Sequence, residues 1–256
     1  VLLLAQTLGW GILRCRISEV GNDLAQGVPL AAALMASDAP DGPDIYVILL
    51  DGYPRADVLQ YAFGIDNSPF TDALSARGFT VATASHSDYL WTHVSVPSAL
   101  NLAYVEQIPA MLDVIEGRAP RQPTLRTTIA DSVAFEVARQ HGIMTVAVAS
   151  GFEEVAPRRA DVYIDGGELN EFEISLLSST FAGDVLNVVA PDFASGQQRD
   201  RIRFNLGVLG DVAGRSMPRR LVFVHVPAPH QPTVFGPGES GVPVPITPHF
   251  FADSPL

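Results

Sequence analysis

The sequence predicts an α/β protein built on a largely parallel sheet covered on both faces. Three observations predict it. Short runs of β-branched and apolar residues, of strand length and bounded by turn-forming residues, recur along the chain. Stretches of helical length lie between them, and strands that alternate with helices need crossover connections and hence parallel neighbours. The chain has 256 residues, 47% of them hydrophobic, which suffices to bury a sizeable core and is too apolar for disorder.

In chain order, the first element is the apolar run Val1 to Leu13, followed by Arg14 and Arg16. It is shorter than the about 20 residues of a spanning helix. Its positive charge follows the run, whereas a complete signal peptide carries the charge first. Residues 1–16 are therefore expected to be the tail of a transmembrane helix. Residues 17–43 read as a linker, with a short helix at Val28–Ala36 and a turn-rich end, Ser37-Asp38-Ala39-Pro40-Asp41-Gly42-Pro43. Asp44 to Leu50 is then a strand of β-branched and apolar residues after its first position, ending at Asp51-Gly52. Further strands are expected at Phe79–Ala84, Met144–Ala149, Val162–Ile164 and Leu221–Val226. Helices are expected at Pro69–Arg77, Thr92–Tyr104, Thr124–His141, Leu169–Phe181 and Gln197–Gly210. The far end, His249 to Leu256, closes without a terminal element, so the chain is expected to be cut at its carboxyl end.

Composition excludes several classes. Acids outnumber bases 28 to 16, so no basic face is available for nucleic acid. All the bases are Arg, which leaves no Lys for a Schiff base or a phosphate clamp. A single Cys, Cys15, rules out an intrachain disulfide framework and a Cys-based zinc site.

In parallel α/β sheets the active site lies beyond the carboxyl ends of the strands. Three residues there stand out. Asp51 follows a fully apolar strand, where a carboxylate either caps the strand-to-helix turn or is paired or bound to metal. Thr92 opens a helical stretch. Its hydroxyl either caps the helix or faces an anion held at the helix start, where a divalent cation would make it a nucleophile. His230 sits between Pro229 and Pro232 in His225-Val226-Pro227-Ala228-Pro229-His230-Gln231-Pro232. This is either a stiff surface loop or a device that aims an imidazole at a phosphoryl or sulfuryl oxygen. Arg55, in the first loop, is either solvated or reaches a substrate anion. His86, His93 and His141 read as surface or packing histidines.

The stretches PDIYVILLDGY (43–53), FGIDNSPFTDALSARGFTVATAS (63–85), YLWTHVSVPSALN (89–101) and FVHVPAPHQPTVFGPGE (223–239) together resemble the alkaline phosphatase and sulfatase superfamily. The nearest group is that of membrane-anchored sulfatase-like hydrolases and transferases. The resemblance implies a three-layer α/β/α sandwich, with 44–256 as the amino-terminal part of a catalytic domain. It implies Asp51 and Thr92 as ligands of a divalent metal ion (Zn, Mn, Mg or Ca) and Thr92 as the nucleophile that forms a covalent intermediate. His230 would contact the transferred group with His225 behind it, and Arg55, by its place in the first loop, is the other candidate for binding the substrate. Ser95 matches the serine of the arylsulfatase motif, but Val96 replaces its arginine, and an unmodified Thr is the pattern of lipoteichoic acid synthases and phosphoethanolamine transferases. The implied substrate is a phosphate or sulfate ester, lipid- or glycan-linked. The implied location is the cell membrane, with the catalytic domain extracytoplasmic. Arg14 and Arg16 point instead to the cytoplasmic side of a membrane helix.

One motif departs from the family. Its metal site is completed by Asp-His-Gly on a later strand, and no Asp-His pair occurs in this sequence. The motif is therefore expected beyond Leu256, and this chain alone is expected to bind metal poorly. The other reading is a non-catalytic, membrane-tethered binding domain that retains the sulfatase fold.

Overall fold

The computed structural model describes residues 2–6, 42–87, 89–112, 122–231 and 233–235. The strands are β1 (Leu2–Gln6), β2 (Ile45–Leu50), β3 (Met144–Val148), β4 (Val162–Ile164) and β5 (Arg220–Val226). They form one sheet in the order β1-β2-β5-β3-β4, and every neighbouring pair is parallel. The helices are α1 (Ala56–Phe63), α2 (Ser68–Ser75), α3 (Thr92–Asn101), α4 (Gln122–Ala130), α5 (Val133–Gln140), α6 (Glu171–Ser178), α7 (Phe181–Val189) and α8 (Phe193–Gly214).

Side-chain alternation along the central strands splits the core into two layers. On one face, Ile45, Val47 and Leu49 of β2 and Leu221 and Phe223 of β5 pack against Val96 and Leu100 of α3, Ile129 of α4 and Phe135 of α5. On the other, Ile48 of β2, Val146 and Val148 of β3 and Val222, Val224 and Val226 of β5 meet Ile202, Val208 and Val212 of α8. The result is the α/β/α layering expected of strands that are apolar on both sides. Among the described residues no single helix is long and apolar enough to cross a membrane.

The register of β2 against β5 decides where the chemistry falls. At the amino end it is pinned by a charged clamp: Arg220, 5% exposed, donates from Nε to Asp44 Oδ2 at 2.8 Å and from its backbone N to Asp44 Oδ1 at 3.1 Å. Its remaining nitrogens donate to the carbonyls of Val212 (2.7 Å) and Arg215 (3.1 Å), so α8 is tied to the same point. Such a multiply bonded guanidinium is the satisfied form of a buried charge.

Four expectations are corrected. Phe79–Ala84 forms no strand. The chain leaves α2 through a turn with Gly78 at φ 87° and runs irregularly to Ser87, with Thr80, Ala82, Thr83 and Ala84 exposed. Its β-branched residues have no neighbouring strand to pack on, and β propensity without that context is weak. Leu2–Gln6 is a strand where a helix tail is expected; it adds to the free edge of β2 with Leu2 opposite Tyr46 and Gln6 opposite Leu50, which pairs backbone groups left open at a sheet edge. Thr124–His141 divides at Asp131-Ser132 into α4 and α5. Leu169–Phe181 ends at Ser178, and Thr180 starts a separate helix, α7. The linker of 17–43 lies outside the described residues except for Gly42 and Pro43, and so does the end of the chain from 236.

Phe135 is fully buried where α5 meets the sheet. Phe135→Ala is expected to destabilise the fold by about 3–5 kcal/mol, through lost transfer energy and the cavity left behind. Denaturant unfolding measures it.

Candidate active site

The parallel register places Leu49 opposite His225 and Leu50 opposite Val226. Alternation then turns His225 to the face occupied by Leu49 and Phe223, and Asp51, two residues after Leu49, turns the same way. The Asp51 backbone N–H extends the ladder by bonding to the Val226 carbonyl at 2.9 Å. Two polar side chains are thereby set side by side at the carboxyl edge of the sheet. Asp51 is 2% exposed and His225 0%. His225 Nε2 lies 2.9 Å from Asp51 Oδ2. An ionised carboxylate only accepts, so Nε2 carries the hydrogen and donates.

The third member comes from α3. Thr92 is its first residue, and its hydroxyl donates to both Asp51 oxygens, at 3.3 and 3.2 Å. The N-cap position belongs to Trp91, whose carbonyl accepts from Val94 N (3.0 Å) and Ser95 N (2.9 Å). Thr92 is therefore not a helix cap, and the backbone N–H groups of Thr92 and His93 have no partner among the described residues. The helix is held in place from its far end. Asn101 donates to the carbonyls of Pro97 and Thr128 and accepts from Val133 N, which links α3 to α4 and α5. Leu102 closes α3 in the left-handed conformation, φ 55°, and is buried in the core. That conformation costs a non-glycine residue about 1–2 kcal/mol, and burial of the leucine side chain offsets it.

His230 reaches the cluster by backbone proximity. Gly52 has φ 72°, and a Cβ on it would lie 3.1 Å from His230 Cα and 3.2 Å from His230 N. Only a glycine allows the loop after β5 to close down on the loop after β2. His230 Nδ1 donates to the Gln231 carbonyl, so in the neutral ring Nε2 is the acceptor nitrogen.

The electrostatics of Asp51 follow from this packing. Burial pushes its carboxyl upward. The His225 hydrogen bond, the positive fields of His225 and His230, and the Thr92 hydrogen bond push it down, and together they hold it below its ordinary 3.8. Nearby, burial pushes the His93 imidazole down against an opposing pull from Glu154. Burial and the Glu154 charge push the Glu171 carboxyl up, with His230 countering.

The structure thus brings together Asp51, Thr92, His225 and the His230 backbone. It does not bring Arg55 to them. That guanidinium is occupied by Asp57, at 2.6 and 2.7 Å, and by the Ser85 carbonyl at 2.7 Å, so it braces the start of α1 against the segment that follows α2. Ser95 is buried and donates to the Tyr89 carbonyl at 3.2 Å, and Val96 is core. His93 stacks on Trp91 (5.9 Å between centroids), and His86 and His141 are exposed.

Two contributors escape the sequence reading. Phe152, in the loop after β3, stands between the two histidines, with its ring 5.4 Å from that of His225 and 5.8 Å from that of His230. Its signal in the sequence is position: Gly151-Phe152 follows closely on the apolar strand Met144–Ala149. Asn205 of α8 is fully buried and donates to the His225 carbonyl at 3.0 Å. Its signal is a polar residue on the helix stripe of Ile202, Val208 and Val212.

As a metal site the donor set fits on one side. The Asp51 carboxylate and the Thr92 hydroxyl are hard oxygen donors that converge. Among the described residues no group of three or more His, Cys, Asp or Glu converges to complete a site. No protein-family model matches the chain, and neither a curated protein nor a solved structure matches it.

Because Asp51 has a folded-state value below its unfolded one, the stability it contributes is fully present above about pH 4. That contribution is lost as pH falls through the lower folded value. Wild type is therefore expected to lose stability more steeply than Asp51→Asn on acidification below about pH 4. Urea midpoints measured across that range test this, and parallel profiles would contradict it.

Proposed function

We propose that this protein is an extracytoplasmic, metal-dependent hydrolase or transferase of phosphate or sulfate esters at the cell membrane, with Thr92 as its nucleophile. The observation that carries the reading is the hydrogen bond from the Thr92 hydroxyl to a buried, ionised carboxylate at the carboxyl edge of a parallel sheet. The resemblance of 43–53, 63–85, 89–101 and 223–239 to membrane-anchored sulfatase-like enzymes supports it, since these segments supply Asp51, Thr92 and His230.

In this reading Thr92 Oγ attacks the phosphorus or sulfur. The Oγ–P or Oγ–S bond forms as the ester bond breaks; the hydroxyl proton passes to Asp51, and the alcohol, leaving from the opposite side, takes its proton from water. Water, or a glycan or lipid hydroxyl, then attacks the covalent intermediate and gives up its proton to solvent, while the Oγ–P or Oγ–S bond breaks and Asp51 returns its proton to Thr92 Oγ. His225 keeps Asp51 ionised and oriented. The unpartnered N–H groups at the start of α3 and the His230 imidazole suit the negative oxygens of the transferred group. A divalent cation held by the Asp51 carboxylate and the Thr92 hydroxyl would lower the pKa of that hydroxyl and offset the developing charge.

Thr92→Ala in the full-length protein is expected to lower kcat on bis(p-nitrophenyl) phosphate or p-nitrophenyl sulfate by at least about 10³-fold, with the melting temperature nearly unchanged. Retained turnover sinks the assignment. A wild-type protein that binds such esters without turning them over favours the non-catalytic binding domain.

A further inference from the structure

We infer that the α6–α7 hairpin is a docking face for the surface of a neutral, zwitterionic lipid bilayer. This does not rest on the catalytic reading. Both helices are apolar on two sides. Ile174, Leu177 and Leu186 turn inward and are half-buried. Outward stand Phe172 (70% exposed), Leu176 (55%), Phe181 (81%), Val185 (42%), Val188 (81%) and Val189 (71%). Glu171, Glu173 and Asp184 flank this apolar stripe, and exposed apolar patches rimmed by polar residues mark interaction sites.

The hairpin is built, not frayed. Asn170 caps α6, accepting from Glu173 N at 2.9 Å, while Glu173 Oε2 accepts from Asn170 N at 2.8 Å. Thr180 caps α7. Gly183 is buried in the bend, where a Cβ would run into the Leu177 carbonyl and lie 2.7 Å from Ser178 Cα. The exposed side chains are therefore held out on a fixed frame.

Three features select a bilayer surface. Together the two helices reach the hydropathy of a membrane span, yet they bend by 94°. With 8 and 9 residues each arm is about 12–14 Å long, far short of the about 30 Å hydrocarbon core, so the pair lies in the interface and does not cross it. The outward face holds Val, Leu and Phe, without the Arg, Tyr, Trp and Met that enrich protein–protein interfaces. Charge then selects the lipid. No base occurs between Arg159 and Arg199, whereas Glu168, Glu171, Glu173, Asp184 and Asp192 do, so an anionic leaflet is repelled. Because Glu171 N, at the start of α6, bonds to the Gly151 carbonyl at 3.3 Å, the docked face adjoins the loop that carries Phe152.

The test is co-sedimentation of the chain with phosphatidylcholine vesicles. Wild type is expected to bind, and Phe181→Ser/Val188→Ser to lower the partition coefficient at least about tenfold. Leu176→Ser on the other arm should lower it in the same direction, with the circular dichroism of each variant unchanged. Adding phosphatidylglycerol should weaken wild-type binding. The proposal is overturned if wild type stays in solution, if the variants bind as well as wild type, or if phosphatidylglycerol strengthens binding. It is also overturned if size-exclusion shows a wild-type dimer that the substitutions dissociate, which would make a second copy of the chain the occupant.

Discussion

A carboxylate that is 2% exposed has to be satisfied from inside the protein, and the arrangement of this molecule follows from how Asp51 is satisfied. Its two partners come from distant parts of the chain. His225 is delivered by the strand beside β2, and Thr92 by the first turn of a helix that packs over that strand. Neither partner suffices alone. The imidazole supplies one short bond at 2.9 Å, and the hydroxyl spreads over both oxygens at longer distance. That leaves the Thr92 oxygen close to its acceptor but held at longer distance than the imidazole nitrogen.

The sheet contributes accuracy to this arrangement. At one end the Arg220–Asp44 clamp fixes the register of β2 and β5, and further along, seven residues after Asp44 and five after Arg220, the same register makes Asp51 and His225 neighbours. Alternation is strict, so a one-residue slip would carry His225 into the aliphatic layer of Val222, Val224 and Val226 and take its partner away. Asn205 adds a restraint from the opposite layer through the His225 carbonyl. The site is thus held from both sides of the sheet.

Much of this was legible in the sequence. The predominantly apolar runs of β2, β3 and β5 admit no half-exposed sheet, and the polar residues in or just after two of them are visible by contrast with the run. Thr92 was legible as a residue opening a helix, though not its choice of Asp51 over the helix backbone, because a hydroxyl at a helix start looks the same in either role. Phe79–Ala84 misleads because its composition suits a strand while its surroundings offer none. Arg55 misleads because Asp57, two residues on, takes its charge locally. Phe152 and Asn205 act through spatial neighbours supplied by other strands, and one-dimensional spacing does not encode those contacts.

Gly52 has a consequence beyond the local fit. Its missing side chain lets the His230 backbone come within the space a methyl group would fill, so the loops after β2 and β5 are geared together like two teeth. A displacement of the proline-bounded loop, by a ligand or by a change in its residues, is passed directly to the turn that carries Asp51. The two segments are therefore a single mechanical part written in two places in the chain.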